Sequence, residues 1–152
     1  MGVPEIAIRP FVAADQAAAR ALVLAGLGEH FGWTDETANP DLDDIHATYV
    51  APGHRFVVAE VGGELAGTGA LVEEAPGVGR LVRMSVAPHH RRRGLGRALV
   101  AHLVAEARAR GYARLLVETN DDWDDAIALY RRCGFAEERR AAGEVHLALD
   151  LR

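Results

Sequence analysis

The 152-residue chain reads as a single α/β domain: a mixed, mostly antiparallel sheet flanked by helices, with one β-α-β parallel crossover. Three observations carry this. Gly62-Gly63, Pro76-Gly77 and Ala142-Gly143 each separate two runs of strand-forming residues, which is hairpin chemistry. Between residues 80 and 119 a strand, a long amphipathic helix and a further strand follow one another, a unit that closes as a right-handed parallel crossover. The apolar share of 49% suits a globular core, and the length suits one domain spanning residues 1–152.

The elements follow in order. Ile6-Ala7-Ile8, set between Glu5 and Arg9, reads as a first strand. Asp15 is placed to cap an alanine-rich helix over residues 16–25, ending near Gly26 and Gly28. Asn39-Pro40 has the chemistry of a helix start and predicts a short acidic helix over 41–49. Strands are expected at 55–61, 64–72 and 80–86. A helix over 94–110 shows Leu95, Leu99 and Leu103 at helical spacing, with Gly111 as its stop. A fifth strand at 113–119, a helix at 124–132 and two last strands at 135–139 and 145–151 complete the chain.

Composition narrows the function. A net charge of −5 argues against wholesale nucleic-acid binding, so no nucleic acid is expected as partner. Cys133 is the only cysteine, which excludes an intramolecular disulfide and a cysteine-based metal cluster. The seven histidines show no metal-ligand spacing, and no metal is expected. Residues 1–11 lack the pattern of a secretory leader, and no apolar run is long enough for a bilayer. A cytoplasmic protein without membrane attachment is the expectation.

The segment Val86 to Arg97 departs from the acidic average. An apolar strand stops at Pro88, the basic run Arg91-Arg92-Arg93 follows, and Gly94 and Gly96 open the long helix. Amide N–H groups at a helix start lack partners and carry the positive end of the dipole. Glycines let an anion approach them, so this is a seat for a phosphorylated ligand. Arg91-Arg92-Arg93-Gly94-Leu95-Gly96 matches R/Q-x-x-G-x-G/A, and Ala126-Ile127-Ala128-Leu129-Tyr130-Arg131-Arg132-Cys133-Gly134-Phe135 matches A-I-x-L-Y-x-x-x-G-F. With both motifs in register on the right elements, the chain resembles the Gcn5-related N-acetyltransferases (GNAT) over nearly its whole length.

The resemblance implies the acyl-CoA N-acyltransferase fold and acetyl-CoA as co-substrate. It implies that residues Arg91, Arg92, Arg93, Gly94, Leu95, Gly96 and Arg97 hold the pyrophosphate. Met84, Ser85 and Val86 would pair backbone groups with the pantetheine arm in a gap between the fourth and fifth strands, and one of these amides would polarise the thioester carbonyl. Tyr130 would protonate the leaving thiolate. Glu118, twelve residues before Tyr130 in sequence, would take the amine proton, its pKa raised by partial burial. Glu73 and Glu74 are weaker candidates for that base. The base of the histone-acetylating branch falls on Arg80 here and is missing. The Asn that often contacts pantetheine is replaced by Trp123, which packs on the cofactor, lines the acceptor site or simply caps its helix. Cys133 is read as a small packed thiol, favouring direct transfer in a ternary complex over a covalent route.

The acceptor side is read from residues 28–49. His30, Phe31, Trp33 and Trp123 are its candidate binding residues, and its carboxylates with aromatics would suit a cationic amine. The leading expectation is acetyl transfer to a primary amine of a small molecule. Acetylation of protein N-termini or lysines, and a non-catalytic acyl-CoA-binding module, are the competitors. A homodimer is left open.

Overall fold

A computed structural model describes residues 5–32 and 38–152. Seven strands form one sheet: β1 (Ile6–Pro10), β2 (Arg55–Val61), β3 (Glu64–Ala75), β4 (Val78–Val86), β5 (Arg114–Asn120), β6 (Ala136–Ala141) and β7 (Glu144–Asp150). Their order across the sheet is β1-β2-β3-β4-β5-β7-β6, with β4–β5 parallel and every other pair antiparallel. Helix α1 (Gln16–Phe31) lies on one face; α2 (Leu95–Ala109) and α3 (Asp124–Arg132) lie on the other.

Strand alternation divides the core. Val57 and Ala59 of β2 point to the α2 side, where they meet Leu95, Leu99, Leu103 and Leu115. Phe56 and Val58 point the other way, to Val23 and Leu24 of α1 and to Leu42, Ile45 and Tyr49. The apolar stripe of α2 is therefore what holds the crossover between β4 and β5 on the sheet.

Two features position the site. The parallel pairing of β4 with β5 covers only Val78–Arg80 against Arg114–Leu116, after which the strands part. Within β4 the register slips: Thr68 pairs with Ser85 and Ala70 with Val82, so Gly69 alone faces Arg83 and Met84. This is a β-bulge, and Arg83 takes the left-handed φ of 54° to make it. Gly69 leaves room for the Met84 side chain, because a Cβ would come within 2.7 Å of the Met84 sulfur and 3.0 Å of Leu103 Cδ1 and make them shift.

The helices differ from expectation in two places. Helix α1 does not stop near Gly26 and Gly28 but runs on to Phe31, closed by Gly32 at φ 81°. Gly26 serves close packing rather than termination, since a Cβ there would lie 3.2 Å from Ser85 Oγ. Asp15 precedes the helix without capping it; its carboxylate instead accepts from Val12 N–H at 2.9 Å and from Arg9 at 2.8 and 2.9 Å. The acidic helix expected at 41–49 is a 3-10 turn, Pro40–Asp43, followed by a π-type turn, His46–Val50.

Candidate active site

Where β4 and β5 part, a cleft of about 720 Å³ opens between the C-terminal part of α1, the start of α2 and the N-terminal end of α3. Met84, Ser85 and Val86 line one wall, Glu118 the facing strand, and Tyr130, Trp123, Gly96, Arg91 and His30 the remainder. Residues from five separate elements thus converge on the gap between the strands.

The anion seat is made by backbone. Arg92 (φ 63°) and Gly94 (φ 82°) both adopt left-handed conformations, which turn the loop onto the start of α2. The first helical bond runs from Ala98 N–H to the Gly94 carbonyl at 3.0 Å. Residues Leu95, Gly96 and Arg97 therefore keep amide donors with no partner inside the helix. Gly96 also lets α3 come close, since a Cβ would sit 3.2 Å from Leu129 Cδ2. The arginines divide in use. Arg91 spans Glu29, at 2.5 and 3.1 Å, and the Val86 carbonyl, at 3.2 Å, tying the loop to α1. Arg92, Arg93 and Arg97 are exposed around the seat, while the Leu95 side chain is buried in the core.

Tyr130 is 5% exposed, its ring packed edge-on against Phe135 at 5.7 Å. Burial pushes its phenol well above the ordinary range, so it stays protonated. Its hydroxyl has no hydrogen-bond partner among the described residues. Glu118 does not match the expectation of burial: its side chain is 42% exposed. It lies 3.5 Å from Arg80 Nη1 and 3.3 Å from His146 Nδ1, the latter brought beside it by the β5–β7 register. Glu74 is occupied as a two-oxygen partner of Arg80, at 3.0 and 2.9 Å, and Glu73 gives its amide to His54. Cys133 closes α3 outside the cleft lining, and burial pushes its thiol up against the opposing pull of Arg97 and Arg132.

On the acceptor side, Trp123 stacks flat on His30 with ring centroids 4.2 Å apart, and His30 Nε2 lies 3.2 Å from Asp122. This contact joins the end of α1 to the start of α3 along the rim of the cleft. Phe31 packs edge-on against His30 but is 49% exposed and does not line the cleft. Trp33 lies outside the described residues. His89 and His90, which have no metal spacing in sequence, both turn to Glu64, at 3.0 and 3.4 Å.

Sequence reasoning missed Arg83. It donates to Asp41 through Nε at 2.8 Å and Nη2 at 2.6 Å, and to Asn39 at 3.1 Å. Tyr49 donates to the same Asp41 at 2.6 Å. Burial works to raise the Asp41 carboxyl, but the Arg83 and Tyr49 hydrogen bonds outweigh it and leave the group below its usual range. Burial and the Asp41 contact push the Tyr49 phenol up to about 12. An arginine interrupting the apolar run of β4 is the one signal the sequence offered.

Comparison with known proteins agrees with this architecture. The family model described as "Acetyltransferase (GNAT) family" matches residues 15–135. An uncharacterised N-acetyltransferase, YjgM of Escherichia coli, is 34% identical over 78% of this chain and 71% of its own length. An IAA acetyltransferase of Azospirillum brasilense is 41% identical over 59% of this chain and 60% of its own length. Among solved structures, a GNAT-family acetyltransferase of Staphylococcus aureus superposes with a TM-score of 0.89 at 20% identity, covering 97% of this chain and all of that one. The PaiA N-acetyltransferase of Thermoplasma acidophilum, solved in complex with coenzyme A, gives 0.84 at 14% identity, covering 96% and 99%. No helix among the described residues is long and apolar enough to cross a membrane.

Proposed function

The chain belongs to the GNAT acetyltransferase family and is a GNAT-type N-acetyltransferase; on that premise we propose that it transfers the acetyl group of acetyl-CoA to the primary amine of a small molecule, by direct attack within a ternary complex. The supporting observation is that Glu118 and Tyr130 line the same cleft as the unpaired edge of β4. The free amides at the start of α2 suit the pyrophosphate, with Arg92, Arg93 and Arg97 supplying charge around it. Backbone groups of Met84 to Val86 face the pantetheine and thioester and polarise the carbonyl as charge develops on its oxygen.

In this reading Glu118 takes one proton from the ammonium and passes it to water. The nitrogen then bonds the carbonyl carbon while the carbon–sulfur bond breaks. Tyr130 gives its proton to the departing sulfur, and the second proton lost by nitrogen passes through water to the tyrosinate, restoring the phenol. A phenol held protonated by burial is suited to that donation. A thiol pushed up by burial and outside the cleft is poorly suited to carry an acetyl group, which favours direct transfer.

The experiment is to follow free CoA release from acetyl-CoA across a panel of small amines and short peptides. Turnover of small amines supports the reading. Tight acetyl-CoA binding with no turnover on any acceptor would point instead to a regulatory acyl-CoA-binding module, and turnover of peptides alone to a protein acetyltransferase.

A further inference from the structure

The acceptor side carries a charge pattern that speaks to the substrate class, given the acetyl-transfer reading above. Among the described residues of 28–49, the acidic side chains expected to greet a cationic amine are largely engaged within the protein. Glu29 is held by Arg91 and Asp43 by Arg20 at 3.3 Å. Asp41 accepts from Arg83 twice and from Tyr49. Asp122, Asp124 and Asp125 line the main cleft on the α3 side, but around Arg83 the carboxylates are Asp41 and Glu118, and both already face cationic or hydrogen-bonding partners.

Arg83 has the opposite character. It lines the main cleft and also a second cavity of about 500 Å³, which shares Leu81, Val82 and Glu118 with the first and adds Val72, Asp41 and Tyr49. Asp41 and Asn39 use its Nε and Nη2, and the Tyr49 hydroxyl also lies against the guanidinium; Nη1 donates no directed hydrogen bond to another described residue. A guanidinium carries five N–H donors, so a whole Nη1 amino group is left to give. The side chain is also fixed in advance. The bulge sets its backbone at φ 54°, the buried Thr68 hydroxyl donates to its carbonyl at 2.8 Å, and Asp41 clamps its far end. A donor already immobilised loses little freedom when it binds.

We propose that the acceptor is an amine that also bears a carboxylate, of amino-acid type, with Arg83 Nη1 receiving the carboxylate. Glu118 then faces the amine, and Val72 and Val82 meet an apolar side chain. The cavity volume is of the size that small-molecule sites take.

The test compares L-phenylalanine and L-leucine with their amides and with phenethylamine and isoamylamine, measuring kcat/KM by CoA release from the wild-type protein. The acids are expected to exceed the other two groups by about tenfold or more, because a site built to pair a carboxylate rejects analogues that lack one. The ammonium of each amide is more acidic than that of its acid, so amine basicity alone would favour the amide over the acid, and that pair is the decisive comparison. Arg83→Asn keeps a residue that tolerates the left-handed backbone and is expected to bring the ratio toward one. Equal or faster turnover of the amides and plain amines overturns the carboxylate assignment while leaving acetyl transfer standing. CoA release that no acceptor accelerates overturns both. A folded Arg83→Asn protein that keeps the wild-type ratio overturns the role of Arg83; if that variant does not fold, Arg83→Gln, which also removes the charge but keeps more of the side-chain length, is read in the same way.

Discussion

The donor and acceptor sides of the cleft are built from different materials. The donor side is almost all backbone: a bulged strand edge and the first amides of α2, with arginines around them. The acceptor side is side chains that satisfy one another: Arg83 with Asp41, Asn39 and Tyr49, and His30 with Trp123 and Asp122. Backbone geometry survives most substitutions, whereas a network of side chains changes with each one. The donor seat is therefore expected to tolerate sequence change, and the acceptor side to be the place where specificity resides.

Substitutions can break or sharpen that contrast. The largest effect is expected at Tyr130, the side chain that serves the leaving group. Tyr130→Phe should lower kcat by about 100-fold or more while leaving acetyl-CoA KM within about twofold. An unchanged kcat in a folded variant removes Tyr130 from the chemistry. Next, Glu118→Gln should lower kcat/KM by about tenfold to 100-fold at neutral pH and flatten the acidic limb of the pH–rate profile. A profile that keeps that limb places the base elsewhere.

Asp41→Asn tests the acceptor network through stability. Removing the charge is expected to cost about 1–3 kcal/mol at neutral pH, read by denaturant unfolding, because Arg83 loses its ionised partner. The carboxyl is held below its ordinary 3.8 in the folded protein. Its contribution is thus complete above that value and is lost as pH falls through the depressed folded one. Wild type and variant should converge in stability below pH 3.8; a constant difference through acid argues that the pair contributes by packing alone. The smallest effect belongs to the backbone seat. Gly94→Ala forces a Cβ into φ 82° and should cost about 1 kcal/mol and raise acetyl-CoA KM severalfold, with kcat nearly unchanged. A large fall in kcat would blur the distinction between the two sides.

The same contrast explains what could be read in the sequence. The donor seat is contiguous: strand end, Arg91–Arg93, Gly94, Gly96 and helix start follow one another, and so do the residues around Tyr130. Helix α3 and the three hairpin turns also stand where local chemistry placed them. The acceptor network joins residues about forty positions apart, and no local rule pairs Arg83 with Asp41. That pairing also undid the expected acidic helix. Asn39 has the chemistry of a cap, but its side chain accepts from Arg83, and the segment settles into two tight turns instead. Gly26 misled in a similar way: it marks a close approach of α1 to Ser85, a tertiary fact that resembles a helix stop when read in one dimension.

The short contact between β4 and β5 has a consequence beyond catalysis. Three residue pairs join the two halves of the sheet, and past them β4 offers a free edge inside the molecule. Free edges are where β-proteins aggregate, because any extended chain can add to them. This one lies on the floor of a cleft walled by α1 and α3. A slender, unbranched chain can lie along it, but a strand bearing side chains on both faces meets helices on either side. The molecule thus keeps an open edge for a small ligand without exposing it to another protein.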